Sequence, residues 1–217
     1  VQRYNHWGYI LTLPFVIGFL VFNAYPFIYS LYLTFTKWDM FNSPQWIGLA
    51  NWKALFHEKQ AIYAFRNIFY FALIFVPLQT IGALVMAYSL NQSIRFKGLF
   101  RALYFLPVVT PWIAAGMVWS WMLNSHFGVV NLLLGYIGLG PYKFNDNPQW
   151  WAAIASIAVA NSWKGVGSSM VLFLAGMQNI SKEMYEAAEL DGATKWNVFI
   201  RIVVPLVSPM AYLVLIL

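Results

Sequence analysis

Residues 4–36 contain no Asp, Glu, Lys or Arg. A run of that length exceeds the ~20 apolar residues a helix needs to cross a bilayer. Further charge-poor windows follow, placing apolar spans at about 8–35, 67–90, 102–123, 150–178 and 203–217 onward. The runs are apolar on every face instead of alternating over ~10 residues, so they predict helices and not the strands of a membrane barrel. The expected fold is all-α, a polytopic transmembrane helix bundle forming one domain over 1–217, with about five spans visible.

Composition narrows the chemistry. Only 9% of the residues are charged and 61% are hydrophobic, whereas a soluble domain carries ~25% charged residues. There is no cysteine, hence no disulfide framework and no thiolate nucleophile or metal ligand. His6, His57 and His126 are too far apart to give a metal-ligand spacing, so neither a metal site nor a catalytic residue is expected. The net charge of +6 reads as basic loops between spans and not as a nucleic-acid surface. The first apolar run is too long for a signal core, and no small-x-small site follows it. The last run, 202–217, is shorter than a full span, so the chain is expected to be C-terminally incomplete.

Lys and Arg density sets the orientation. The 91–101 loop holds Arg95, Lys97 and Arg101 with no acid and is expected on the cytoplasmic side. The N-terminus, with Arg3, and the 179–201 loop then lie on that side too. The segments 37–66 and 124–149 lie outside, and 129–139 reads as an interfacial helix. Trp38, Trp46, Trp52, Trp150 and Trp151 fit an aromatic belt at the outer membrane surface. Pro14, Pro26, Pro77, Pro107, Pro111, Pro205 and Pro209 are expected to kink spans. Of these, the Pro107/Pro111 pair reads as functional.

One charge sits inside a span. Lys164 falls in the middle of 150–178, within a patch rich in glycine, serine and asparagine. An ionisable residue at membrane depth is a functional candidate by default. Asn161, Lys164, Gly165 and Ser168 are spaced i, i+3, i+4, i+7 and share one helical face. Together they offer an amide, an ammonium, bare backbone and a hydroxyl to a polar solute. The competing reading is close helix packing through small residues, with Lys164 snorkelling or pairing with a partner subunit.

Four of the seven acids, Glu183, Glu186, Glu189 and Asp191, cluster between two apolar runs. Ser181 is placed to cap a helix starting at Lys182, with Glu183 at its positive end. Gly192 is placed to end that helix in the left-handed conformation, and Thr194 to cap the next. The pattern predicts a short solvated helix, a sharp turn and a return toward the membrane.

The order Glu186-Ala187-Ala188, Gly192, Ile202, Pro205 resembles the EAA loop of binding-protein-dependent ABC importer permeases. Val204 stands at the position where the family pattern has leucine. The flanking segments 101–131 and 161–180 resemble those of the carbohydrate-uptake branch, the maltose-, raffinose- and glycerol-phosphate-type permeases. The resemblance covers about residue 7 to the end, and it implies a type I importer permease fold with six spans.

The resemblance further implies that 182–199 carries a cytoplasmic coupling helix docked in a cleft of an ATPase subunit. Glu186 would pair with a basic residue there, Ala187 and Ala188 would permit close seating, and Gly192 would supply the turn. It implies a cavity for a sugar or oligosaccharide, with Asn161 and Gly165 matching the maltose type and Lys164 and Ser168 departing from it. Val108 and Trp112 are drawn into that cavity as well, Trp112 as a platform for a sugar ring. The implied partners are a second homologous permease, two ATP-binding subunits, an extracytoplasmic solute-binding protein and membrane lipid, in a bacterial or archaeal cytoplasmic membrane.

No G-x4-G-K-[ST] sequence is present. ATP and Mg are therefore expected in the partner ATPase, with no cofactor on this chain and no enzyme activity of its own. Two alternatives stay open. One is a permease for another solute such as glycerol phosphate, with Lys164 as an anion anchor. The other is a secondary transporter, for which intramembrane acids and internal repeats would be the marks.

Overall fold

The structure is a computed structural model and describes residues 6–144 and 150–217. Arg3, Asp146 and the end of the 124–149 segment lie outside the described residues. Packing divides the chain into two compact units, one up to Phe65 and one from Arg66 to Leu217.

The first unit begins with α1 (His6–Phe19), a π-helical turn (Leu20–Ala24) and α2 (Tyr25–Leu33). Tyr25 donates its N–H to the carbonyl of Leu20, five residues back. Pro26 follows with no N–H to give, and the widened turn is how the helix absorbs that loss. Beyond α2, Thr36–Lys37 (β1) pairs antiparallel with Gln45–Trp46 (β2), with Thr36 opposite Trp46. Asp39 closes the hairpin. One carboxylate oxygen accepts from the N–H groups of Phe41 (3.1 Å) and Asn42 (2.8 Å), and the other from the Asn42 amide at 2.7 Å. The Asn42 backbone bond, followed by the Asn42 side-chain bond, holds the Asp39 carboxyl below the usual carboxylate range. Trp46 stacks on Phe35 at 5.5 Å. Asn51, in α3 (Ala50–His57), donates to the carbonyls of Thr34 (3.0 Å) and Thr36 (2.9 Å). The 37–66 segment is therefore a folded hairpin-and-helix cap, which alternation over two-residue strands is too short to announce.

The division between the units falls inside α4 (Lys59–Asn91). The second unit continues with α5 (Lys97–Val109), α6 (Trp112–Met122), α7 (Val129–Tyr136), α8 (Trp150–Gln178), α9 (Lys182–Leu190) and α10 (Lys195–Val198). A second π-helical turn (Phe199–Val203) then leads to α11 (Val204–Leu206) and α12 (Ser208–Ile216).

Two stretches read from the sequence as single spans are broken. α5 and α6 meet at 97°, and the Lys195–Leu206 segment meets α12 at 61°. Pro111 explains the first break. Its ring disfavours helical geometry at the preceding residue, and Thr110 is extended, with φ −70° and ψ 131°. At the second break Val207 leaves helical geometry, two residues before Pro209.

Among the described residues, two helices are long and apolar enough to cross a membrane: Gly8–Leu33 and Lys59–Asn91. The number rises to four if each bent pair forms one span. α8, drawn as a span from its charge-poor window, does not join them, although its 29 residues give ~43 Å of helix. Its serines, asparagine and lysine lower its apolarity, and of these Ser156, Ser162, Lys164 and Ser169 are buried.

α8 is the axis of this unit. Val166, Met170, Phe173, Leu174 and Met177 form the core with Ala83, Ala87 and Leu90 of α4 and Val203 and Val207 of the C-terminal segment. α5 approaches α8 at backbone distance. A Cβ at Gly167 would lie 2.9 Å from Cγ2 of Val108 and would strike the Tyr104 carbonyl. A methyl group at that position would force the helices apart.

Candidate functional site

α6 and α8 face each other across an open cavity of about 420 Å³. Trp112, Ala115, Gly116, Trp119, Ser120 and Leu123 line it from one side, and Ser156, Ile157, Ala160, Asn161 and Lys164 from the other. Both sets recur at three- and four-residue intervals, so each is one face of one helix. The 97° break sets α6 at this angle to α5, so the break positions one wall of the cavity.

Lys164 holds that break together. Its side chain is only 6% exposed. The ammonium donates to the carbonyls of Pro107 and Val108, both at 3.1 Å, and to that of Thr110. These oxygens lie at the C-terminal end of α5, where a helix leaves its last carbonyls without partners. An ammonium has three N–H groups, and all three are engaged. The cation also suits the negative end of the helix dipole. It lies 4.7 Å from the ring centroid of Trp112, within cation–π range. Pro111, by ending α5, thus frees the carbonyl cluster that Lys164 satisfies.

The six residues assigned to substrate from the sequence separate here. Trp112, Asn161 and Lys164 line the cavity together. Val108, Gly165 and Ser168 are not among its lining residues. Val108 accepts from Lys164 and packs toward Gly167. Gly165 faces the Gln79 side chain, whose amide donates to Ser169 at 3.1 Å. Ser168 spends its hydroxyl proton on the Gly165 carbonyl at 2.8 Å. The cavity-facing stripe of α8 stops at Lys164, because Gln79 fills the space at Gly165 and α5 packs against Gly167.

Trp119, which was not among the expected cavity residues, lines the cavity and meets Trp163 edge-on at 5.9 Å. Its position seven residues after Trp112, two helical turns along one face, was the signal that could have found it.

The second candidate region lies at the other end of α8. A three-residue link leads from α8 into α9. Ser181 occupies the N-cap, but its side chain makes no bond to a backbone N–H of α9. Instead, the Glu183 backbone N–H and then the Ser181 hydroxyl hold the Glu183 carboxyl below its usual range. Thr194 caps α10 as expected, accepting from the Asn197 N–H at 3.3 Å. Gly192 has φ +70°, a region that side chains disfavour. The turn closes through Ala193 N–H to the Ala188 carbonyl at 2.9 Å. Glu186 and Ala187 are exposed, whereas Ala188 is 8% exposed and faces its own bundle. Leu190 (90% exposed) and Trp196 (68%) stand uncovered on this acidic loop. Tyr88, near the end of α4, donates to the Lys195 carbonyl at 3.1 Å and packs on Phe199 at 4.7 Å.

Among the described residues, no group of three or more His, Cys, Asp or Glu stands close enough to hold a metal ion. What the arrangement offers is an aromatic, hydroxyl-bearing cavity and an exposed acidic loop helix, placed at two points on one rod. In a chain built of membrane-length apolar helices, these parts define a membrane protein of the transport class.

The chain belongs to the family of binding-protein-dependent transport system inner membrane components, whose model matches residues 79–217. It is similar to the probable ABC transporter permease protein YesP of Bacillus subtilis, 34% identical over 215 residues, which cover 98% of this chain and 68% of that protein. It is also similar to the trehalose/maltose transport system permease protein MalF of Thermococcus litoralis, at 30% identity over 97% of this chain and 71% of that one. A solved bacterial alginate ABC transporter, in complex with an alginate pentasaccharide-bound periplasmic protein, aligns with a TM-score of 0.77 and 27% identity. That alignment covers 98% of this chain and 70% of that one.

Proposed function

We propose that this chain is the permease subunit of an ATP-driven importer that moves a sugar or oligosaccharide across the cytoplasmic membrane. The observation that carries the reading is the Trp112–Trp119 cavity wall facing α8, on the same helix that leads into α9. Indole faces and hydroxyl groups suit the alternating apolar and polar faces of a sugar ring. The transport of trehalose/maltose and of alginate by the similar proteins supports the same substrate class.

In this reading α9 is the coupling helix. It faces the cytoplasm, as does the N-terminus, with Glu186 and Ala187 turned to an ATPase subunit and Gly192 making the turn behind them. The exposed Leu190 and Trp196 give that contact its apolar share. Two ATP-binding subunits hydrolyse ATP with Mg, a second homologous permease completes the path, and an extracytoplasmic binding protein delivers the solute.

The test is solute-stimulated ATPase activity of the reconstituted complex. Glu186→Ala is expected to lose most of the stimulation and to weaken ATPase attachment, while solute binding to the permease persists. Trp112→Ala is expected to weaken solute binding by tenfold or more, taking base–aromatic stacking values of ~1–3 kcal/mol as a guide. Unchanged stimulation in both variants would sink the proposal.

A further inference from the structure

We infer that the cavity takes an acidic sugar, one bearing a carboxylate, in preference to its neutral counterpart. The inference rests on reading the cavity as the solute's path. None of the seven acids falls between 59 and 122 or between 150 and 178, so α4, α5, α6 and α8 carry no carboxylate. Lys164 is nevertheless buried, and its amine lines the cavity wall. The carbonyls of Pro107, Val108 and Thr110 satisfy its hydrogen bonds, but they are dipoles and leave the net charge uncancelled. A buried cation with no carboxylate on the helices around it makes the cavity attractive to anions, and more strongly so than in water because the surroundings are less polarisable.

The polar groups along α8 give the solute a direction. Ser156 donates to the Ala152 carbonyl and Asn161 to that of Ile157, both at 2.8 Å. Each is left with an oxygen free to accept from a sugar hydroxyl. Lys164 lies eight residues beyond Ser156, ~12 Å along the axis. Acceptors for sugar hydroxyls thus run along the wall from Ser156 to Asn161, and the positive charge stands at its far end. A neutral sugar gains little from an ammonium whose N–H groups are all engaged. A carboxylate does gain, because charge acts without a hydrogen bond. With the sugar ring laid against Trp112, itself 4.7 Å from the ammonium, the carboxylate sits within ~8 Å of the charge, where the attraction favours it by about tenfold.

The test is equilibrium binding to the assembled transporter in lipid nanodiscs, without binding protein. The probes are tri-galacturonate and the neutral galactose trisaccharide of the same linkage. The wild type is expected to bind the acid about tenfold more tightly, with the gap narrowing as salt rises. Lys164→Arg keeps the preference. Lys164→Met lowers affinity for the acid about tenfold more than for the neutral sugar, with size-exclusion profiles verifying assembly of each variant. Equal affinities in the wild type overturn the inference, as does equal loss of both ligands in Lys164→Met, which would make the ammonium a fastener alone. The cavity reading itself fails separately if the wild type binds neither probe, or if Trp112→Ala changes neither affinity.

Discussion

Asp39 shows how much one carboxylate organises in a chain with few charges. Its two oxygens gather three donors from Phe41 and Asn42, and the Trp38 indole N–H then donates to the Asn42 carbonyl at 2.7 Å. Because these bonds lower the Asp39 pKa in the folded turn from 3.8, the unfolded turn binds protons more readily. The contribution is complete above the unfolded value and is lost as pH falls through the lower folded value. Acidification below about pH 4 is therefore expected to loosen the 38–42 turn while the helices stay formed. Trp38 fluorescence, followed with the other tryptophans replaced by phenylalanine, would register it. Asp39→Asn should show the loosened signal at neutral pH and no acid transition. Lys164 is the opposite case, a charge satisfied by oxygens that a broken helix set free.

At the scale of elements, the α5–α6 break has two supports, the Pro111 ring and the Lys164 ammonium. Either alone is expected to maintain it. The exposed Leu106 and Met117 are suitable places for spin labels on the two arms. A continuous helix would separate their backbones by ~16 Å, and the 97° bend shortens that distance. Pro111→Ala should leave the measured distance near the wild-type value, and Pro111→Ala with Lys164→Met should lengthen it toward the straight-helix value. A single Pro111→Ala that straightens the segment would show that the ammonium does not hold the break.

The same break shows what the sequence makes legible. Charge-poor windows reveal helical, lipid-compatible segments, because hydropathy is a property of the window. They conceal the direction change at Thr110, because two extended residues barely alter the mean. Lys164 was visible as an anomaly, but its three acceptors were not, since they are backbone atoms 54 or more residues away. Side-chain periodicity placed Asn161 and Lys164 on one face correctly. It could not place the edge of that face at Gly165, which Gln79 of a different helix decides. The Gly192 turn and the Thr194 cap were legible because both depend on local backbone geometry.

Across the whole of the second unit, the unbroken length of α8 matters most. It has no internal proline and runs 29 residues from beside the cavity to the link into α9. Val171 lies between the two regions, partly buried against the core. Proline there would remove one helical bond and strain the turn, at a cost of about 3 kcal/mol. Val171→Pro is expected to retain solute binding, since the cavity residues precede it, while losing most of the solute-stimulated ATPase activity. Retained stimulation at wild-type level would show that α8 does not carry the signal.

An uninterrupted rod between a load and a grip has a further consequence. Whatever shifts the C-terminal end of α8 along its axis shifts Asn161 and Lys164 by the same distance, because no joint lies within the helix to absorb the stroke. Lys164 is pinned to the end of α5 and drags the root of α6 with it, so both banks of the cavity travel as one piece. A change in the width of the opening must then come from a body outside this pair of helices sliding past it.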